Sequence, residues 1–302
     1  MADVTPQPDS ELEIPAQRRG LEGLRSPLVW VVIAVAALLL IGNTILRTEF
    51  RAAAVEQARS DMEQLLRSYE GNIEQRFLNI ETTLQSLALL IGTNEYSPRE
   101  THLLLRQAVQ TLGIVRVIGV TDHTGMVVRS SRSDPAPAVS LAGRDYIDYY
   151  LAGGQAPRFL SAPVVNLVDN QWQVSLSIPV RTRSGDLWGV ISAAIDPRLI
   201  IDTLAPVAES GDFVTLFYED FRLISRLPWI EDRIGTSLAD AEIFRDLARS
   251  AEGRVAGVYT GRISGDRRLG AATRLFHDKL VLSTSRPLEG ALGFWPVLEL
   301  VA

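Results

Sequence analysis

The run PLVWVVIAVAALLLIGNTIL, from Pro27 to Leu46, holds 20 residues and not one charge. At about 1.5 Å per residue such a helix is about 30 Å long, the thickness of a bilayer's hydrocarbon core. A cleaved secretion signal has an apolar stretch of only about 7–15 residues with small residues close behind. Here the A-x-A candidate at Ala52–Ala54 lies beyond Arg47, Glu49 and Arg51, and the pair Arg18-Arg19 precedes a run too long for a twin-arginine leader. The expectation is a retained membrane helix over 27–46, behind a polar, disordered cytoplasmic tail over 1–26. Arginines flank the run on both sides, so charge orients it only weakly. A short tail inside and a large domain outside is the simpler arrangement.

At the other end, GALGFWPVLELVA (Gly290–Ala302) reads as the opening of a second apolar helix, with Trp295 as an interfacial aromatic. Residues 289–302 are too few to span a bilayer. They are expected to be the truncated start of a second membrane helix in a longer protein.

Between these ends the chain has the composition of a folded protein, with 46% hydrophobic and 22% charged residues. A net charge of −6 argues against nucleic acid as a partner. The absence of cysteine removes disulfide and thiol chemistry, and His102, His123 and His277 are too scattered for a zinc site. No phosphate-cradling, dinucleotide, metalloprotease or serine-hydrolase motif occurs. No cofactor, no metal and no catalytic residue are expected, and the chain reads as a non-enzyme.

From Arg47 to Gly92 there is no proline. Met62, Leu66, Tyr69, Ile73, Phe77, Ile80, Leu84, Leu87 and Ile91 follow one another at steps of three or four, a continuous apolar stripe on one long helix. Packing on its own domain and a seam with a second copy remain equally open. Beyond Pro98 a helix (THLLLRQAVQTLG) leads into IVRVIGVTD and MVVRSS around the turn HTG, then a helix at GRDYIDYYLAGG. RFLSAPVVN follows, then QWQVSLSIPVR and LWGVISAAID joined by TRSGD, and a helix from Pro197. A shorter cycle comes next: FVTLFYED, the helix LADAEIFRDLARS, and strands near GRVAGVYTGRI, RRLGAATRLF and KLVLSTSRPL. The pattern predicts an α+β fold with antiparallel sheets in two lobes on one long helix.

GRDYIDYYLAGG, FLSAPVVN and NQWQVSLSIPVRTRSGDLWGVISAAIDP together resemble the double Cache family. These PAS-like extracytoplasmic sensor domains belong to bacterial histidine kinases, diguanylate cyclases and chemoreceptors. The resemblance spans roughly 47–290 and implies a long helix with a membrane-distal lobe over 47–210 and a membrane-proximal lobe over 211–288. It also implies a small-molecule ligand in the distal lobe, a homodimer through the long helix, and a signal to an output module outside this chain.

In family members that bind amino acids, an arginine followed two positions later by an aromatic holds the ligand carboxylate, and a later aspartate pairs with its ammonium. Arg144 and Tyr146 match the first element and Asp196 the second. Tyrosines of that signature are replaced here by Val139 and Val164, and Tyr146-Ile147 stand where it has tryptophan and tyrosine. A carboxylate or amino acid is therefore the expected ligand class, a guanidinium being a planar fork of donors for it.

Each residue has a plainer role to weigh. Arg144 could pair with Asp145 or Asp148, Tyr146 or Tyr150 could be core, and Asp196 before Pro197 is a natural helix cap. Tyr149 in the helix, and Trp172 and Ser175 on opposite faces of the QWQVSLSIPV strand, complete the expected contacts. The alternative is a ligand-free protein that binds a periplasmic partner.

Overall fold

The computed structural model describes residues 27–93, 96–204 and 211–291. The tail over 1–26 and the segment 292–302 with Trp295 lie outside the described residues. By its contacts the chain divides into Met1–Ala54 and Val55–Ala302. Helix α1 (Pro27–Gly92) contributes to both. In the first unit its apolar side chains stand exposed, Leu38 and Leu39 at 70%. Among the described residues this is the one helix long and apolar enough to cross a membrane, with a window of mean hydropathy 2.0.

In the second unit, all nine residues of the predicted stripe from Met62 to Ile91 are buried. They face the apolar sides of two antiparallel sheets, so the stripe serves the chain's own core. Between the helix and the first sheet comes α2 (Pro98–Leu112). Ser97 and Glu100 close its N-terminus as a reciprocal capping box ahead of Pro98.

The first sheet runs in the order β2 (Val127–Ser130), β1 (Val115–Asp122), β6 (Leu187–Ile195), β5 (Trp172–Arg181), β3 (Phe159–Leu160), and β4 (Val164–Val165) also pairs with β5. The expected turns hold it. Gly125 (φ 85°) and Gly185 (φ 91°) take the left-handed conformation that closes the HTG and TRSGD hairpins. Helix α3 (Asp145–Leu151) covers the face of this sheet away from α1. Helix α4 (Pro197–Asp202) leads toward the second lobe.

The second sheet runs β8 (Leu223–Leu227), β7 (Phe213–Tyr218), β11 (Leu280–Pro287), β10 (Arg267–Leu275), β9 (Arg254–Thr260). Helix α5 (Glu242–Arg249) lies on its far face, and α6 (Leu288–Ala291) follows β11. Strand β8 goes beyond the strands expected from the sequence. Its LISRL pattern directly follows the Asp220–Phe221 turn, and Phe221 sits at φ 64°.

Alternation explains why each sheet is buried on both sides. On β5, Val174, Leu176 and Ile178 join the core with α1, while Gln173, Ser175 and Ser177 face the other way and are buried too. On β7, Val214 and Leu216 face the core with α1, and Phe217 joins the cluster around Phe244 of α5.

Acidic residues on α1 add polar anchors: Glu70 pairs with Arg254 at 2.6 Å, and Glu81 with Arg158 at 2.6 Å. His277 Nε2 lies 3.5 Å from the same Glu81, which thus touches both lobes. The lobes also meet directly where the Tyr218 hydroxyl donates to the Leu160 carbonyl (3.1 Å) and the Ser225 hydroxyl to that of Pro197.

Candidate functional site

Between α3 and the polar face of the first sheet is a cavity of about 60 Å³. Strands β1, β5 and β6 form its floor, and the segments around Val139 and Leu167 form its sides. Three of the six expected contacts, Arg144, Tyr146 and Ser175, come together in its lining.

Arg144 is the N-cap residue of α3, at φ −91° and ψ 127°, and its side chain makes no cap bond. Its Nη2 donates to the Val165 carbonyl at 2.8 Å. Neither Asp145 nor Asp148 pairs with it: Asp148 accepts from the Gly143 N–H at 3.0 Å and Asp145 from the Tyr146 N–H at 2.8 Å. Asp145 thus satisfies an orphan donor of the helix start and Asp148 ties down the turn before it, which among the described residues leaves the remaining donors of the guanidinium fork to the cavity.

Tyr146 is buried, and burial raises its phenol above the ordinary value, against the opposing pull of Ser175 and Arg144 beside it. Tyr150 is the core tyrosine of the helix, donating to the Ser177 carbonyl at 3.1 Å.

The floor is a hydrogen-bonded chain. Asn166 Nδ2 donates to Gln173 Oε1 at 2.6 Å, and Gln173 Nε2 donates to Ser175 Oγ at 2.8 Å. Gln173 and Asn166 were not among the expected contacts. Gln173 alternates with Ser175 and Ser177 in a strand whose every other residue is apolar, and that small polar row is the signal for it. Ser192, which also lines the cavity, stands opposite Ser177 in the register of β5 and β6, a pairing that a single strand's sequence does not disclose.

The other three expected contacts lie elsewhere. Asp196 caps α4, accepting from the Arg198 N–H at 2.8 Å, and its other oxygen is 3.3 Å from Arg116 Nη1. The capping role weighed from the sequence accounts for it, and it does not line the cavity. Tyr149 packs edge-on against Tyr150 with centroids 5.1 Å apart, and its hydroxyl accepts from the Ala156 N–H. Trp172 lies against the second lobe: a β-carbon on Gly235 would meet its ring at 3.2 Å.

Leu167 and Val168 of the β4–β5 loop line the cavity while remaining 58% and 49% exposed. Asp169 holds this loop, 2.8 Å from Arg132 and 3.3 Å from Arg116. Burial acts to raise the Asp169 carboxyl. Arg132, the Gln171 N–H and Arg116 outweigh it, so the group is held below the usual carboxylate range.

No curated protein matches the sequence. Among solved structures, the extracellular domain of rpHK1S-Z16, described as a histidine kinase, is 21% identical at a TM-score of 0.72, over 80% of this chain and 100% of that one. The ligand-binding domain of the Pseudomonas aeruginosa amino acid chemoreceptor PctB, in complex with L-Arg, is 14% identical at a TM-score of 0.62, over 79% and 98%. The periplasmic sensory domain of the Campylobacter jejuni chemoreceptor Tlp1 is 12% identical at a TM-score of 0.57, over 81% and 98%. At these identities the likeness is one of fold: a long helix and two antiparallel sheets. The Cache domain profile matches residues 50–298. That covers most of the chain, which therefore belongs to the Cache domain family of ligand-binding sensor modules, in its double form.

Proposed function

We propose that this chain is the sensor module of a membrane-anchored bacterial receptor, with residues 27–46 crossing the inner membrane and the double Cache region in the periplasm. The lobe over 47–210 is then membrane-distal and that over 211–288 membrane-proximal. In support, the second lobe is held on α1 by Glu70 and by Thr284 Oγ1, 2.8 Å from the Met62 sulfur. The first reaches α1 at Glu81, which it shares with His277 of the second, and alone at Gly92, further in sequence from Leu46, where a β-carbon would collide with the Arg181 carbonyl.

The ligand is a small carboxylate, bound in the distal cavity. The carrying observation is that Arg144 lines this cavity with no carboxylate partner among the described residues, beside Tyr146 and Ser175. Among the described residues the lining contains no acidic side chain for a ligand ammonium, and Val139 occupies a wall where the amino-acid signature has tyrosine. This favours a carboxylate over a zwitterionic amino acid. About 60 Å³ admits a few heavy atoms; a larger ligand requires the Leu167–Val168 loop to move.

Binding that holds this loop against α3 favours one of two lobe arrangements, and the difference in affinity between them is the signal passed on to an output module. The stripe on α1 being engaged with the chain's own sheets, the proposed homodimer uses the opposite face of the helix.

The test is thermal unfolding of the full chain in detergent micelles against a panel of small carboxylates and amino acids. At about 100 times its dissociation constant a ligand stabilises by about 2.7 kcal/mol, a midpoint rise of roughly 5–10 °C for a domain of this size. A rise with a carboxylate that disappears in Arg144→Ala supports the reading. No rise with any compound sinks it in favour of a ligand-free protein that docks a periplasmic partner, a reading to which the exposed Leu167 and Val168 lend weight.

A further inference from the structure

The second lobe holds a larger cavity, about 100 Å³, between α5 and the face of its sheet turned from α1. Its walls are mostly apolar, with Phe217, Ile243 and Phe244 among them. Three arginines line it: Arg226 from β8 and Arg268 from β10 are buried, at 6% and 4% exposure, whereas Arg262, between β9 and β10, is exposed and paired with Asp240. The guanidinium carbons of the two buried ones lie 3.9 and 3.8 Å from the centre of the Phe213 ring.

These two differ in what else they touch. Arg268 uses four of its five donors: it donates to the Ser285 hydroxyl (3.1 Å) and carbonyl (3.1 Å), to Asp266 (2.9 Å) and to the Gly211 carbonyl (2.6 Å). Arg226 has no hydrogen bond and no ion pair among the described residues; the face of the Phe213 ring is what its charge meets. A buried charge without a partner is costly, and a guanidinium satisfied only by a ring face leaves its in-plane donors bare. Burial and the neighbouring Arg268 charge push the Arg226 pKa down to about 10, still far enough above neutrality to keep it cationic.

We propose that this second cavity is an anion site, separate from the one at Arg144, in which Arg226 receives the carboxylate of a small organic monoanion with a short apolar tail. The walls select the tail and the unoccupied fork selects the head. A single negative charge fits because Asp266 already opposes Arg268 and Asp240 opposes Arg262, and Glu242 in the lining disfavours a second. The size agrees: an apolar cavity of about 150 Å³ takes benzene, so 100 Å³ suits an acid of two to four carbons. Hydroxyls of Thr215 and Ser283 in the lining are available to the second carboxylate oxygen.

The experiment follows the ¹⁹F linewidth of trifluoroacetate with the full chain in detergent micelles, competed by propionate and, separately, by inorganic phosphate. It is run in an Arg144→Gln background, so that binding at the first site does not contribute. For a ligand of so few atoms a dissociation constant on the order of 1 mM is expected. Propionate should relieve the broadening and phosphate should not, and Arg226→Met should weaken binding by about tenfold or more. Arg226→Met should also unfold at or above the parent's temperature, since it removes an unpaired buried charge.

Gly270→Ala places a methyl group against Ile243 at ordinary contact distance, 3.4 Å, inside the cavity. It should weaken binding severalfold with the charge left in place, and it decides the matter should Arg226→Met not fold. The proposal is overturned by no propionate-sensitive broadening at about 10 mM probe. Broadening equal in the parent and in either cavity variant also overturns it, as does a lowered midpoint in a folded Arg226→Met, which would make the cation on Phe213 a structural contact.

Discussion

In the first lobe, the sheet face turned from α1 carries Gln173, Ser175 and Ser177, closed over by a short helix that brings one partly buried arginine, Arg144. In the second, the corresponding face carries Phe217, Arg226 and Arg268 under α5, and both arginines are buried. The faces turned toward α1 are alike, built of valine, leucine, isoleucine and alanine. Strand alternation separates the two duties: one set of positions is committed to the shared core, and the other is free to vary in chemistry without disturbing it. Polar groups in the first cavity satisfy one another and leave the arginine's donors at the mouth. In the second, the satisfied group is Arg268, and the deficit is at Arg226, facing the cavity.

The largest effect should come from the part the lobes share. Phe77 is fully buried on α1 and lies 5.1 Å from Phe276, next to the Glu81 anchor for both lobes. Phe77→Ala should cost about 3–5 kcal/mol, roughly 10 °C or more in midpoint. Calorimetry of the variant should show both lobes leaving in one transition. A split in which one lobe unfolds well before the other would break the view that α1 makes a single cooperative unit.

Next in size is the contrast between the cavity floors. Ser175→Val removes the acceptor of Gln173 Nε2 in a buried chain and should cost about 1–3 kcal/mol. Ser283→Val, at the other floor, removes a hydroxyl that makes no hydrogen bond to any described residue and should stay within about 0.5 kcal/mol. Urea midpoints of the two variants check the pair. Equal costs would show that the second floor is as saturated as the first.

Much of this scaffold was legible in the sequence. The stripe from Met62 to Ile91 declared its face because apolar residues at helical spacing over so many turns mark one side of an amphipathic helix. Hairpin turns were legible at Gly125 and Gly185 because their left-handed backbone favours glycine. The placement of the candidate residues was half legible. Arg144, Tyr146 and Ser175 converge, but Asp196 turned to its own helix end and to Arg116, and Trp172 to the lobe contact at Gly235. Which way a side chain at an element boundary turns depends on partners distant in sequence, such as Arg116, 80 positions earlier than Asp196. Arg226 was hidden for the same reason. It lies on strand β8, whose short pattern does not announce itself, and only the fold brings it beside Phe213 and the cavity under α5.

Acid should distinguish the first lobe through its loop. Asp169 has a folded-state pKa below its unfolded value, because Arg132, the Gln171 N–H and Arg116 outweigh the effect of burial. Its contribution is therefore complete above the unfolded pKa of about 3.9. It is lost as the pH falls through the lower folded value. Hydrogen exchange of the amides from Leu167 to Gln171 should accelerate across that window, ahead of the strands of either sheet. If these amides stay as protected as β5 down to global unfolding, the loop is held by something other than its arginine contacts, and the proposed mobile cover over the first cavity falls.

The smallest effect is the most telling about the two arginines. Arg144 is partly exposed, and its one side-chain hydrogen bond among the described residues is to the Val165 carbonyl, which solvent can replace at the cavity mouth. Arg144→Ala should therefore change the ligand-free stability by no more than about 0.5 kcal/mol, or 1–2 °C, while removing the carboxylate response. Arg226→Met should move the ligand-free midpoint upward, because a desolvated charge is exchanged for an apolar chain of similar length. Ligand-free melting of both variants beside the parent separates the cases. A loss above about 2 kcal/mol in Arg144→Ala would make that arginine a strut between α3 and the β4 segment, and the carboxylate would then have to be held by the Asn166–Gln173–Ser175 chain instead. A flat result, with the response gone, would mean that Arg144 owes its place above that chain to the ligand and not to the fold.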